Sequence, residues 1–368
     1  MQPHRAVALT LVLVAIPAAA QGLASEGSVT GTVLCEDTHA PARQANVFLQ
    51  APISNKPGAF IPPGKAFVAP TGLDGSFTIS NVTPGEYYVI VWYPGYISAR
   101  EYIYPGALSI EVSAGREPLP SFVQRVTIAS GATAPVKIEL KRGGSISGSV
   151  SYSDGAPIPN VALTPKFKLS DGKIADSSTG AFHTDGSGHY RIEGLPDGSY
   201  VVLAAIEGAM VPVFGGDLTG GSGLMIFAGG GMRPSKARVV AVSGPHEYAG
   251  VNITVPLIGV HEIAGAVAAP DGHRLNHGLV RLYPTGEPRF SMSAPLEADG
   301  TFSFHRIPAD RYTILVEDAS DWKLTPKGLG GLRYEERTLV QRYEPASVDV
   351  NVAETDLTNV FLTVSPIR

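Results

Sequence analysis

The stretch Thr184-Asp185-Gly186-Ser187-Gly188-His189-Tyr190-Arg191-Ile192, followed by Leu195-Pro196-Asp197-Gly198-Ser199-Tyr200, decides the fold of this chain. Tyr190 and Ile192 alternate with His189 and Arg191, the period-2 pattern of a strand with one buried face. The Asp, Gly and Pro residues around it supply turns. Tyr200 opens a further strand, Tyr200 to Leu203. A tyrosine at such a corner can bury its ring and return its hydroxyl to the backbone. The pattern occurs twice more. Gly75-Ser76-Phe77-Thr78-Ile79 and Gly300-Thr301-Phe302-Ser303-Phe304 match Gly188 to Ile192. Seven residues after each glycine comes Val82, Leu195 or Ile307, and five further on Tyr87, Tyr200 or Tyr312.

The repeat extends outward. Upstream lie three strands with a central glycine, Gly31, Gly148 and Gly265, spaced 117 residues apart in both intervals. An Asp/Gly/Pro turn and an alternating strand follow each: Val47-Phe48-Leu49, Val161-Ala162-Leu163 and Val280-Arg281-Leu282. Downstream, each copy closes with two strands expected to pair: Val126 to Ala129 with Val136 to Leu140, Val239 to Val242 with Val251 to Val255, and Val348 to Val352 with Val360 to Val364. Short strands at this spacing, with little helical periodicity, predict an all-β chain of three tandem antiparallel β-sandwich domains. The boundaries fall at residues 21–142, 143–258 and 259–368, and the second copy carries a Gly-rich insertion at 215–231. Linkers as short as Lys141-Arg142-Gly143 predict neighbours in contact.

Composition agrees. The 368 residues include 42 Gly and 30 Pro yet remain 44% hydrophobic, which suits many short strands joined by tight turns. With 17% charged residues, a net charge of −5 and no basic stripe, nucleic acid is excluded as a partner. Residues 1–20, with His4 and Arg5, an apolar run from Ala6 to Ile16 and Pro17-Ala18-Ala19-Ala20, predict a cleaved signal peptide with no membrane span after it. The lone Cys35 falls in the first strand, where a buried, inert thiol is expected.

The glycine-centred strand, the turn, the Val-x-Leu strand and the Thr-Asp-x-x-Gly-x-Tyr-x-Ile and Leu-Pro-x-Gly-x-Tyr runs resemble the carboxypeptidase regulatory-like domain family. These are transthyretin-like or prealbumin-like sandwiches, often found in tandem in exported bacterial proteins. The third copy departs most, with Leu296-Glu297 in place of Thr-Asp. The resemblance implies a carbohydrate-binding-like fold and a non-enzymatic protein of the cell envelope.

The residues themselves offer little chemistry. No His-Glu-x-x-His or Gly-x-Ser-x-Gly run occurs, so no catalytic residue, metal ligand or cofactor is assigned. His273 and His277, four apart in a turn region, read as solvated loop, and Asp185 and Asp197 as turn formers. The segment 215–231 lacks the lysine of a phosphate loop and is expected to be a mobile insertion, although Leu224, Met225, Ile226 and Phe227 could instead pack on a neighbour. The binding candidates are aromatic: Trp92, Tyr93, Tyr96, Tyr102 and Tyr104, in a run dense enough to stack on a sugar, anchor a partner or pack against the second copy. The expected function is an exported scaffold or binding module for an envelope protein or glycan, with carbohydrate binding through these aromatics as the alternative.

Overall fold

The computed structural model describes residues 25–52, 67–104, 108, 119–206, 218–219, 223–329 and 332–368. The expected signal peptide, residues 1–20, lies outside them. The regular structure of the described chain is almost entirely strand, and its sheets fall into three pairs along the sequence.

In the first pair, Gly27–Cys35 lies between Ser76–Val82, antiparallel, and Thr133–Leu140, parallel. The opposing sheet runs Phe67–Pro70, Asn46–Gln50, Gly85–Trp92, Gln124–Ile128. The second pair repeats this plan. Gly144–Tyr152 has His189–Leu195 on one side and Glu247–Tyr248 with Ile253–Val255 on the other. Ala162–Lys168 and Gly198–Ile206 centre its partner sheet. In the third pair, Val260–Ala268 lies between Thr301–Pro308 and Leu357–Thr363, opposite a sheet centred on His277–Pro284 and Asp310–Leu329.

The two closing strands of each copy do not pair with each other, contrary to the expectation above. The first joins the tyrosine strand: Gly85 faces Ile128, Gly198 faces Val242 and Asp310 faces Val352. The second crosses to the other sheet and runs parallel to the opening strand. Each thereby satisfies the backbone groups along an otherwise bare edge, which mutual pairing would have left open.

The repeated glycines mark where backbones meet. A Cβ on Gly31, Gly148 or Gly265 would lie 2.1, 2.2 or 2.1 Å from the carbonyl oxygen of Val136, Val251 or Val360, so the crossing strand approaches only because no side chain is present. Across the antiparallel ladder the same glycines face Phe77, Tyr190 and Phe302. The turn glycines Gly75, Gly188 and Gly300 have φ of 79°, 75° and 78°, and their carbonyls accept from Val33, Val150 and Val267 N–H at 2.8–2.9 Å. Each tyrosine is buried and donates its hydroxyl four residues back: Tyr87 to Thr83 O at 2.9 Å, Tyr200 to Pro196 O and Tyr312 to Pro308 O at 2.8 Å. Burial raises all three phenols above their ordinary range. Thr184 Oγ donates to Ile158 O and accepts from Val161 N–H, both at 2.8 Å, and Thr71 bridges Ala42 O and Ala45 N–H likewise. Leu296 has no hydroxyl for this bridge and is buried.

The core of the first pair is separate, whereas those of the second and third form one continuous apolar cluster. Cys35 is buried within the first, as expected. Two elements were not foreseen, a helical turn at Arg100–Ile103 and a long ribbon in which Asp310–Leu329 continues beyond its sheet to pair with Leu332–Arg342, and the buried strand Leu224–Phe227 follows the packed alternative for the Gly-rich insertion.

Gly148→Ala should lower stability by about 2–4 kcal/mol, because its new methyl meets backbone rather than a movable side chain. Tyr200→Phe should cost about 1–2 kcal/mol by leaving Pro196 O unpaired. Gly186→Ala, with open space around its Cβ position, should stay within about 0.5 kcal/mol. Urea titration of the three variants checks this ranking.

Candidate functional site

The aromatic run starts where the tyrosine strand leaves its sheet. Trp92 ends that strand with its ring turned outward and 56% exposed. The chain then turns at Pro94-Gly95, with Gly95 at φ 80°. Tyr93 stacks on Tyr96, their rings 5.3 Å apart and 28° from parallel. Tyr96 is buried and donates its hydroxyl to Asp37 Oδ1 at 2.9 Å. Arg142 donates from Nη2 to the Tyr96 hydroxyl at 2.6 Å and from Nε to Asp37 Oδ2 at 2.5 Å, with its guanidinium 4.4 Å from the ring centre. The Arg142 guanidinium holds the Asp37 carboxyl below the usual range. Desolvation, with Cys35 and Asp37 alongside, raises the Tyr96 phenol.

This knot ties down the linker into the second copy. Ile97 N–H donates to Lys141 O at 2.9 Å and Gly143 N–H to Gly95 O at 3.0 Å. A Cβ on Gly194 would lie 2.7 Å from Tyr96 O, so the arm rests directly on the second pair of sheets. Within the helical turn Arg100–Ile103, Glu101 is 2% exposed. Its Oε1 accepts from Ser177 Oγ at 2.9 Å and from Thr179 Oγ, and its Oε2 from Ser178 N–H at 3.0 Å. Burial raises this carboxyl despite those donors. Tyr102 packs edge-on against Phe122 at 5.7 Å, within a small cluster with Ile97, Ala99 and Val123. Tyr104 donates to Gln50 Oε1 at 2.6 Å, with the Arg100 guanidinium 4.6 Å from its ring centre.

The five residues therefore divide. Tyr93 and Tyr96 belong to the linker knot, Tyr104 leans back on the first copy, and Trp92 is exposed on the outer face. Tyr102 borders an open cleft of about 510 Å³ between the arm and the corner turn of the second copy, together with Phe122, Glu36, Glu139, Lys141 and Asp197. One aromatic face flanked by carboxylates and an ammonium suits a small polar ligand such as a sugar. The carboxylates come from far apart in the chain, so no motif could have announced them.

Other candidates resolve as local structure. Asp185 Oδ1 accepts from Ser187 and His189 N–H, and Asp197 Oδ1 from Gly244 N–H at 2.8 Å. His273 lies between Asp271 and Asp321, 2.7 Å from each, and these carboxylates raise its imidazole. His277 turns away and meets the Trp322 ring edge-on at 6.1 Å. Among the described residues no group of three or more His, Cys, Asp or Glu is placed to hold a metal. Within the Gly-rich insertion, residues 215–217 and 220–222 lie outside the described residues. Leu224–Phe227 is buried strand, with Phe227 edge-on to Phe290 of the third copy at 5.1 Å. That corrects the expectation of a mobile loop here: four apolar residues gain more by burial than a solvated loop would allow.

Because the folded state raises the Glu101 carboxyl, it favours the protonated form. Its contribution is therefore complete below about pH 4.5 and is lost as pH rises through the raised value. Glu101→Gln should remove that dependence, its amide donating to the two hydroxyls while its oxygen accepts from Ser178 N–H. Glu101→Ala should weaken the junction by about 1–3 kcal/mol. Hydrogen exchange at Ser178 and Thr179 between pH 4 and 8 reads both effects.

Residues 28–141 match the family model described as carboxypeptidase regulatory-like domain. No curated protein matched in sequence. Among solved structures, a streptococcal ancillary pilin is 11% identical over 93% of this chain and 99% of its own, at a TM-score of 0.26. The minor pilin of Streptococcus agalactiae is 14% identical over 62% and 94%, at 0.25. The TIE protein of Bacillus anthracis is 14% identical at 0.21; the match covers 92% of this chain but about half, 51%, of that protein. With TM-scores this low, none of these likenesses bears on what the chain does. The segment that matches the carboxypeptidase regulatory-like domain family, residues 28–141, contains the glycine crossing of Gly31, the Thr71 bridge and the Tyr87 corner.

Proposed function

We propose that the chain is a non-enzymatic, exported scaffold of three tandem sandwich domains, held at fixed angles so that surfaces between them serve as binding sites at the cell envelope. The observation that carries this reading is how the joints are built. At the first, buried Glu101 and the Tyr96–Asp37–Arg142 knot replace a free linker. At the second, Arg233 forks onto both oxygens of Asp310 at 2.5 and 2.9 Å and also donates to Thr285 O and Arg311 O. Arg289 reaches back to Ile174 O at 2.6 Å and to Asp176 Oδ2 at 2.8 Å, where the buried Lys166 also binds. A flexible string of domains has no use for enclosed polar groups at its joints, and Glu101, Lys166 and Arg233 each need the partners named to offset their desolvation.

Export is supported by the N-terminal sequence, and no helix among the described residues is long and apolar enough to cross a membrane. A second reading, carbohydrate binding, is favoured by the cleft beside Tyr102 rather than by the whole aromatic run.

Two measurements test these readings. Small-angle scattering of the monomer should fit one rigid body in the wild type and a broader ensemble in a Glu101→Ala, Arg233→Ala double variant. A wild type as broad as the variant would sink the scaffold reading. A glycan panel should show saturable binding lost on Tyr102→Ala and retained on Trp92→Ala if the cleft binds sugar. Loss on Trp92→Ala alone would move the site to the outer face.

A further inference from the structure

Each copy carries an arm between its tyrosine strand and the first closing strand that pairs with it, and the first two arms grip the copy that follows. The first arm plants Glu101 on Ser177–Thr179, a segment that follows the second copy's Ala162–Lys168 strand, and reaches the turn at Asp197 before Tyr200. The second arm adds Leu218–Thr219 as a parallel strand beside Phe290–Ser291. It also sets Arg233 on Asp310, two residues before Tyr312, whose hydroxyl lies 3.5 Å from Met232 Sδ. Both arms thus recognise the same two features of the next copy: its tyrosine corner and the segment after its second strand.

The third arm is the ribbon formed by 320–329 and 332–342. It occupies the equivalent place, and its outer strand ends the sheet order; apart from its last residue, Arg342, whose carbonyl accepts from Ile367 N–H at 2.9 Å, no strand pairs with that edge among the described residues. Residues 336–340 are exposed on both faces, with Val340 at 64%. A two-stranded ribbon with solvent on both sides is marginal alone, and a long bare edge invites strand addition. In the first copy the corner Thr83–Tyr87 carries no arm among the described residues, and Thr83 and Glu86 are exposed. The charges are complementary: residues 320–342 hold five basic and three acidic side chains, whereas residues 25–92 hold five acidic and three basic.

We propose that the ribbon of one copy of this chain docks on the Tyr87 corner of a second copy, as the first two arms dock within the chain. The contact is heterologous, so it leaves one free ribbon and one free corner and repeats head to tail. It extends the scaffold reading. Rigidity is measured on the monomer, so failure of self-association leaves that reading untouched.

Sedimentation of the full chain, up to about 1 mM, tests the proposal. The wild type should associate with rising concentration and dissociate with salt. Val340→Asp in the ribbon and Glu86→Arg at the corner, both exposed positions whose folding circular dichroism confirms, should each weaken association by about tenfold or more. A one-to-one mixture of the two variants should form dimers and grow no further, because one intact ribbon meets one intact corner. A wild type that stays monomeric throughout overturns the proposal. So does association that survives both variants, or a mixture no more associated than either variant alone.

Discussion

Each sandwich closes where one strand passes within van der Waals contact of another strand's backbone, over a residue with no side chain. At Gly31, Gly148 and Gly265 even a methyl group would penetrate the carbonyl of the crossing strand by more than an ångström. That strand satisfies the free edge of the opening strand and adds to the core from its inner face: Ile138 and Leu140 in the first copy, Ile253 and Val255 in the second. The tyrosine corner depends on this closure. A phenol buried to the degree of Tyr200 keeps its hydroxyl paired only while the turn four residues back is held against the same core.

The two joints use different physics. The first is largely polar: a carboxylate enclosed by hydroxyls and one N–H, a guanidinium shared between a phenol and an aspartate, and an open cleft alongside. The second continues the core, with Phe227 against Phe290 and Met232 against Tyr312, and its charges lie around that apolar centre. Apolar contact is non-directional and holds over a range of pH, whereas a buried carboxylate responds to pH. The first joint is therefore where surroundings can alter the relation between copies, and the cleft opens there.

The strand pattern was readable because period-2 alternation and turn chemistry act over a few residues. Gly75, Gly188 and Gly300 stand at positive φ where the turn demands it, and the Tyr87, Tyr200 and Tyr312 hydroxyls reach back within the same local segment. The candidate site was only partly readable. The density of aromatics near Trp92 was visible, but Tyr96 and Tyr102 acquire their roles from Arg142, Phe122 and Asp197, which are distant in sequence. Glu101 carried no signal at all: one acidic residue among tyrosines looks solvated until Ser177–Thr179 closes over it.

By itself the sequence determined the all-β class, the repeat with its 117-residue interval, the turns and the three buried tyrosines, because local backbone sterics and a two-residue period specify them. Tertiary structure alone decided that the closing strands separate into different sheets, that Leu224–Phe227 is buried rather than looped, and that the arms become joints. Those outcomes turn on which edge, face or charge is left unsatisfied once the sheets form. That balance is set between residues a hundred positions apart, and no local pattern records it.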